Sequence, residues 1–337
     1  MATISWSRSE ALMEPDARSE TLVVRIGAIT RETDEILKFV LVDPNGGALP
    51  GFAAGAHVDV HIAPGLTRQY SLLNPPGEGR QYVIAVKREP QSRGGSAAMH
   101  GGLAPDDLVR IGSPRNSFGL DHGAAHHLLI AGGIGITPLL CMAHQLAATG
   151  GTYTLAYFVR APELAGFAED LAPIARAGRL QLHAGLNAEA TIAAMAGLLA
   201  RQPEGAHVYT CGPCPLMDAV GELAKACGRD LPVHREDFTA LPLIAGPDLA
   251  AFEVQLAQSG EILPIPPERT IADVLIEHGV ALDTSCEQGM CGTCLTRVLG
   301  GVPEHRDTFL SEEERAAGDH ILPCVSRSRT PLLVLDL

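Results

Sequence analysis

From Thr21 onward, apolar residues alternate with polar ones in short runs that Gly and Pro interrupt. Residues 21–26, 36–42, 57–62, 69–73, 81–88 and 107–111 each read as a strand with one face turned inward. Many short strands with turn residues between them predict an antiparallel β-barrel or sandwich. The rhythm changes after His122. An apolar strand over 127–131 runs into a Gly-rich turn and a helix over 138–149. A strand at 152–158 precedes a helical stretch at 163–177, then come a strand at 179–184 and a strand at 207–210 that leads into a helix over 216–227. Strands alternating with helices predict an α/β body with a doubly wound parallel sheet. Residues 251–337 mix strands with an amphipathic helix over 271–279. The expected division is a loose tail at 1–20, a barrel domain at 21–122, an α/β domain at 123–236, a linker at 237–250 that carries Pro242 and Pro247, and a last domain at 251–337.

Composition narrows the class. At 337 residues the chain is too long for one ordinary core, and 46% hydrophobic with 19% charged residues reads as soluble and globular. No uncharged apolar run is long enough for a membrane span, and no apolar leader opens the chain, so a cytoplasmic protein with reduced thiols is expected. A net charge of −14 argues against nucleic acid or an anionic membrane as partner. The acid is uneven: residues 251–337 carry 14 Asp/Glu against 6 Lys/Arg, a net of −8. That face is either simply solvated or able to steer a basic partner.

Chemistry concentrates in a few places. Cys286, Cys291 and Cys294 form C-x4-C-x2-C, and twenty-nine residues intervene before Cys324. This is the plant-type spacing for a [2Fe–2S] cluster, a soft site that thiolates suit. Structural zinc normally presents two close cysteine knuckles or a cysteine pair with a histidine pair, which this spacing does not. Gly289 and Gly292 let the backbone curl so that amides point at sulfur. Earlier, Arg68-Gln-Tyr70-Ser71-Leu72 places a cation, a flat ring and a small hydroxyl on a barrel strand. Gly94, Gly95 and Ser96 after Arg93 offer N–H groups and a hydroxyl to a phosphate. The turn Ala131-Gly132-Gly133-Ile134-Gly135-Ile136-Thr137-Pro138 opens a helix where a pyrophosphate could approach the backbone, although it does not meet G-x-G-x-x-G. Cys211-Gly212-Pro213-Cys214 has the form of a dithiol motif. It ends a strand of a sheet that already has its own Gly-rich turn, and no Trp precedes it. The favoured reading is that Cys211-Gly-Pro closes a dinucleotide crevice. His234, Glu236 and Phe238 read as packing or linker, with Phe238 also a candidate to cover a flavin face, and Cys141 and Cys227 as small hydrophobes in helices.

In this order the motifs resemble the phthalate dioxygenase reductase family, relatives of ferredoxin–NADP reductases with a β-grasp ferredoxin domain at the C-terminus. The resemblance covers about residues 21–337 and rests on Arg68-Gln-Tyr-Ser-Leu, Ala85-Val-Lys87-Arg88, Arg93-Gly-Gly-Ser, Ala131 through Pro138, Cys211-Gly-Pro and Cys286 through Cys324. It implies FMN held by Arg68, Tyr70 and Ser71, with Ala85, Lys87, Gly94, Gly95 and Ser96 near its ring and phosphate. By the same carry-over Gly133, Ile134, Thr137 and Cys211 line the NADH site, and Ser71 and Cys211 flank the reacting atoms. Ala161 stands where some members carry an acidic residue, beside Arg160, whose charge suits a 2′-phosphate, and Asp237 stands where the family would have Ser. The implied activity is NADH-dependent electron delivery, through flavin and cluster, to a terminal oxygenase with a Rieske centre, by a monomer. The alternatives are another acceptor, such as a demethylating monooxygenase or a P450, or a zinc-holding module without catalysis.

Overall fold

The structure is a computed structural model that describes residues 21–63, 66–90, 94–238 and 250–337. The expected tail, most of the linker and Arg93 lie outside the described residues. The chain divides into two compact units, one made of residues through Val60 with Tyr70–Phe238, the other of His61–Gln69 with residues through Leu337. No helix among the described residues is long and apolar enough to cross a membrane.

The first sheet contains β1 (Thr21–Arg31), β2 (Ile36–Val42), β4 (Ala56–Ala63), β5 (Leu66–Ser71), β7 (Gln81–Lys87) and β8 (Leu108–Gly112) in the order β5-β4-β8-β1-β2-β7. β3 (Leu49–Phe52) pairs with β6 (Gly77–Gly79) as a separate ribbon, and β9 (Arg115–Asn116) joins β4. The Leu73 amide, two residues past β5, donates to the Val83 carbonyl on β7 at 2.9 Å and all but closes the antiparallel barrel. Alternation does what the pattern predicted: Val24, Ile26, Phe39, Leu41, Val58, Val60, Ile62, Ile84 and Val86 fill the interior. Helix α1 (Gly95–Gly102) is tied to β7 by His100 Nε2 on the Val86 carbonyl at 2.9 Å.

The second sheet is wholly parallel, with β10 (His126–Gly132), β11 (Tyr153–Val159), β12 (Leu180–Ala184), β13 (Ala206–Cys211) and β14 (Val233–Glu236) in the order β12-β11-β10-β13-β14. Helices α2 (Ile136–Thr149), α3 (Ala168–Arg176), α4 (Ala188–Ala200) and α5 (Cys214–Ala226) connect the strands. Near-continuous apolar runs in β10 and β11 are what a sheet covered on both faces needs. Two differences from the sequence reading have local causes. The stretch 163–177 is not one helix, because Gly166 and a left-handed Phe167 (φ 68°) separate a 3₁₀ turn from α3. Residues 233–236 form a fifth strand instead of trailing after the last one, because β13 offers an unpaired parallel edge.

The third sheet has β15 (Phe252–Leu256), β16 (Ile262–Ile265), β17 (Thr296–Gly300), β19 (His320–Ile321) and β21 (Leu332–Leu335) in the order β16-β15-β21-β17-β19. β15 and β21 run parallel and their other neighbours antiparallel, the arrangement of a β-grasp ferredoxin fold. β18 (Pro303–Glu304) pairs with β20 (Arg327–Ser328), and α7 (Glu312–Ala317) starts at a Ser311 capping box. Helix α6 (Ile271–Glu277), capped by Thr270, buries Ile271, Val274 and Leu275 on the sheet. Arg327 is almost fully buried and donates to the carbonyls of Ala250, Pro266 and Arg269. Those three bonds satisfy a guanidinium that would otherwise be costly to enclose.

Candidate functional site

β5 ends at Ser71, which is 5% exposed, while Arg68 and Tyr70 on the same strand are half-buried. Arg68 Nη1 donates to the Thr67 carbonyl at 2.7 Å. Ala85 is buried on β7, and Lys87 at the end of that strand pairs with Glu89 at 2.7 Å. Gly94 takes φ 97°, a region closed to most L-residues, and open space faces its missing side chain. Gly95 starts α1, and Ser96 Oγ accepts from the Glu89 amide at 3.1 Å.

Ser71 has a partner that sequence reasoning did not assign. Its hydroxyl donates to Glu236 Oε2 at 3.2 Å, across 165 positions of chain. Glu236 ends β14 directly beside Cys211, the last residue of β13. As a residue Glu236 is of intermediate exposure, yet its carboxyl group is enclosed. Burial pushes its pKa up to about 8, Asp237 adding to the rise and the Ser71 hydrogen bond opposing it. Cys211 is fully buried, and burial, then Glu236 and Asp237, hold its thiol well above the usual range. A dithiol-exchange cysteine needs the reverse, a thiol easily ionised and accessible. Cys211 is therefore a neutral wall, and Cys214 in the first turn of α5 has no free thiolate neighbour.

The Gly-rich turn is built against that wall. A Cβ on Gly135 would meet the Cys211 carbonyl carbon at 2.4 Å and the Gly212 nitrogen at 2.5 Å. A Cβ on Gly212 would meet Gly132 Cα at 2.8 Å. Two backbones touch this closely at the carboxyl ends of adjacent parallel strands, the edge at which open α/β sheets bind ligands. Gly133 (φ 54°) faces open space, Ile134 is half-buried, and the buried Thr137 donates to the Ile134 carbonyl at 3.2 Å. His234 belongs to the far end of the sheet: its ring stacks on Tyr209 at 4.5 Å and bonds His207 at 3.0 Å. Phe238 is 44% exposed.

The four cysteines of the other unit converge. Cys294 and Cys324 are buried with their sulfurs 3.3 Å apart, and Cys286 and Cys291 are half-buried and hydrogen-bonded to each other. The Cys291 thiol and the backbone amides of Gln288, Met290 and Cys291 lower the Cys286 thiol, while Cys291 and Cys324 are raised by their sulfur neighbours and by burial. Sulfurs this close cannot all be thiolates unless a cationic centre lies among them, so the donor set fits an iron–sulfur group. Glycine is required twice in the loop. A Cβ on Gly289 (φ 72°) would meet Val325 at 2.6 Å, and one on Gly292 (φ 74°) the Phe309 ring at 2.3 Å.

Comparison with known proteins agrees with this geometry. Residues 254–329 match a 2Fe-2S iron-sulfur cluster binding domain, and residues 112–231 match the N-terminal domain of a dimethylamine monooxygenase subunit DmmA-like family. The solved structure of phthalate dioxygenase reductase, described as a modular structure for electron transfer from pyridine nucleotides to [2Fe-2S], superposes with a TM-score of 0.71 at 37% identity, over 94% of this chain and 98% of that one. The chain belongs to the phthalate dioxygenase reductase family. This reductase is also 47% identical to a vanillate O-demethylase oxidoreductase of Pseudomonas putida, over 91% of its own length and 96% of that protein. It is 44% identical to a phenoxybenzoate dioxygenase subunit beta of Ectopseudomonas oleovorans, over 96% and 100%. It is an oxidoreductase with a flavin barrel, a pyridine-nucleotide sheet and a [2Fe–2S] ferredoxin domain, and it serves an oxygenase system.

Proposed function

We propose that this protein takes electrons from NADH through FMN to a [2Fe–2S] cluster and delivers them, as a monomer in the cytoplasm, to a separate oxygenase with a Rieske centre. The observation that carries this reading is the match along nearly the whole chain to reductases of oxygenase systems. The domain assignment that goes with it is barrel 21–122, α/β 123–236, linker 237–250 and ferredoxin 251–337. When bound, the flavin supplies the step between a two-electron donor and a one-electron acceptor. The chain supplies the rest. Arg68, Tyr70 and Ser71 hold the flavin, with Ala85, Lys87, Gly94, Gly95 and Ser96 around its ring and phosphate. Gly133, Ile134, Thr137 and Cys211 line the nicotinamide crevice, where the buried neutral Cys211 thiol excludes water without adding charge. The Glu236 carboxyl keeps a proton up to about pH 8, while its Oε2 accepts from the Ser71 hydroxyl. Cys286, Cys291, Cys294 and Cys324 hold the cluster, and the amides around Cys286 offset negative charge there.

The test separates the two halves of the route. Cys291→Ser is expected to abolish reduction of cytochrome c or of an oxygenase, while NADH-to-ferricyanide activity through the flavin persists. A folded variant that keeps its flavin yet loses both activities would refute the order. A demethylating oxygenase is the second reading of the partner, favoured by the 47% identity to the vanillate O-demethylase oxidoreductase. Reconstitution with a vanillate demethylase oxygenase and with a ring-hydroxylating dioxygenase decides between them.

A further inference from the structure

Between β18 and α7, the segment Arg306-Asp307-Thr308-Phe309-Leu310 touches two cysteine-bearing segments at once. The Thr308 amide donates to the Gly289 carbonyl at 3.0 Å, inside the loop between Cys286 and Cys291. The Arg306 amide donates to Ser326 Oγ at 3.2 Å, two residues after Cys324. The Ser326 hydroxyl in turn lies 3.4 Å from Asp307 Oδ1. Gly289 sits so close to this segment that a Cβ there would be 2.9 Å from Asp307 Cα.

Asp307 has a side chain with no exposed surface. Its Oδ2 accepts from the Leu310 amide at 2.9 Å. Arg315 on α7 donates to the Asp307 carbonyl at 2.6 Å and holds its guanidinium 3.8 Å from Oδ2. His305 brings Nδ1 to 3.6 Å from Oδ1, and both its ring nitrogens are buried without a hydrogen-bond partner. A fully enclosed carboxylate costs free energy that packing alone would not require, since an apolar residue could fill the same space. Its position between the Gly289 loop and the Cys324 turn gives that cost a purpose.

We propose that Asp307 is a positioning residue for the iron–sulfur centre, latching the Gly289 loop to the Cys324 turn through Thr308 and Ser326 and setting, with Arg315, the fixed charge that the centre's potential senses. The inference rests on the four-cysteine assignment. A negative charge nearby disfavours adding an electron, and a positive one favours it. Asp307→Asn keeps the shape and removes the charge, so the midpoint potential should rise. Arg315→Gln removes the opposing charge, so the potential should fall. Loosened packing would move both variants the same way, so opposite signs distinguish the two causes.

The experiment is an EPR-monitored redox titration of the full-length protein and both variants, with iron and flavin content measured in each. Shifts of opposite sign at full cluster occupancy support the proposal, as does faster cluster loss to a chelator in Ser326→Ala with flavin content unchanged. Potentials that stay put or move together overturn it. If Asp307→Asn fails to keep a cluster, a fall in Arg315→Gln together with faster cluster loss in Ser326→Ala supports the proposal, and no shift or a rise in Arg315→Gln overturns it. A wild-type protein without iron and sulfide would instead sink the four-cysteine assignment.

Discussion

Enclosure holds the Glu236 carboxyl protonated at pH values where an exposed glutamate has long since ionised. Its pKa of about 8 stands above the ordinary value of 4.5, so between those limits the folded protein keeps a proton that the unfolded chain releases. Stability from this group is therefore lost as pH rises from about 4.5 to about 8, by at most about 5 kcal/mol. Glu236→Gln is expected to flatten that part of the curve of Tm against pH. An unchanged slope would remove Glu236 as its source. Arg68, Tyr70 and Ser71 stand out as candidates in sequence because a cation, a ring and a hydroxyl lie within four positions of one strand. The meeting of Glu236 with Ser71 was not legible in sequence. The neighbours of Glu236 in sequence read as linker, and Ser71 lies 165 positions away.

At the scale of elements, the turn from β10 into α2 works only because Gly135 has no side chain. Its φ of −63° suits any residue, so the constraint is the Cys211 backbone and not strain. Gly135→Ala is expected to destabilise the protein by about 2–3 kcal/mol, since backbone must move to admit the methyl. KM for NADH should rise more than flavin content falls. A variant with wild-type Tm and KM would refute the packing argument. This turn was readable from its glycines and from Pro138, whereas α4 was not. Its sequence, Ala188–Ala200, is so rich in alanine and leucine that no polar face marks a 3.6-residue period. The strand β14 was missed for the opposite reason, being four residues long with two charges, and it exists because β13 offers it an edge.

For the molecule as a whole, the charge balance sets how a partner arrives. With a net of −8 over residues 251–337, reduction of a basic acceptor such as cytochrome c should slow as salt rises from about 0.01 to 0.15 M, when the Debye length shrinks from about 30 to about 8 Å. Stopped-flow rates that are flat in salt would leave the acidic face as solvation only. The order of antiparallel barrel, parallel α/β sheet and a last body carrying four cysteines at cluster spacing was legible in sequence alone, because periodicity and spacing are local signals that survive without coordinates; flavin and nucleotide came in with the family resemblance. The tertiary structure decided which side chains meet. It set Ser71, Glu236 and Cys211 together, turned a dithiol-like Cys211 into a buried neutral thiol, and enclosed Asp307 between Ser326 and Arg315. Those outcomes depend on burial and on partners distant in the chain, and both come from how strands pair rather than from which residues neighbour one another in sequence.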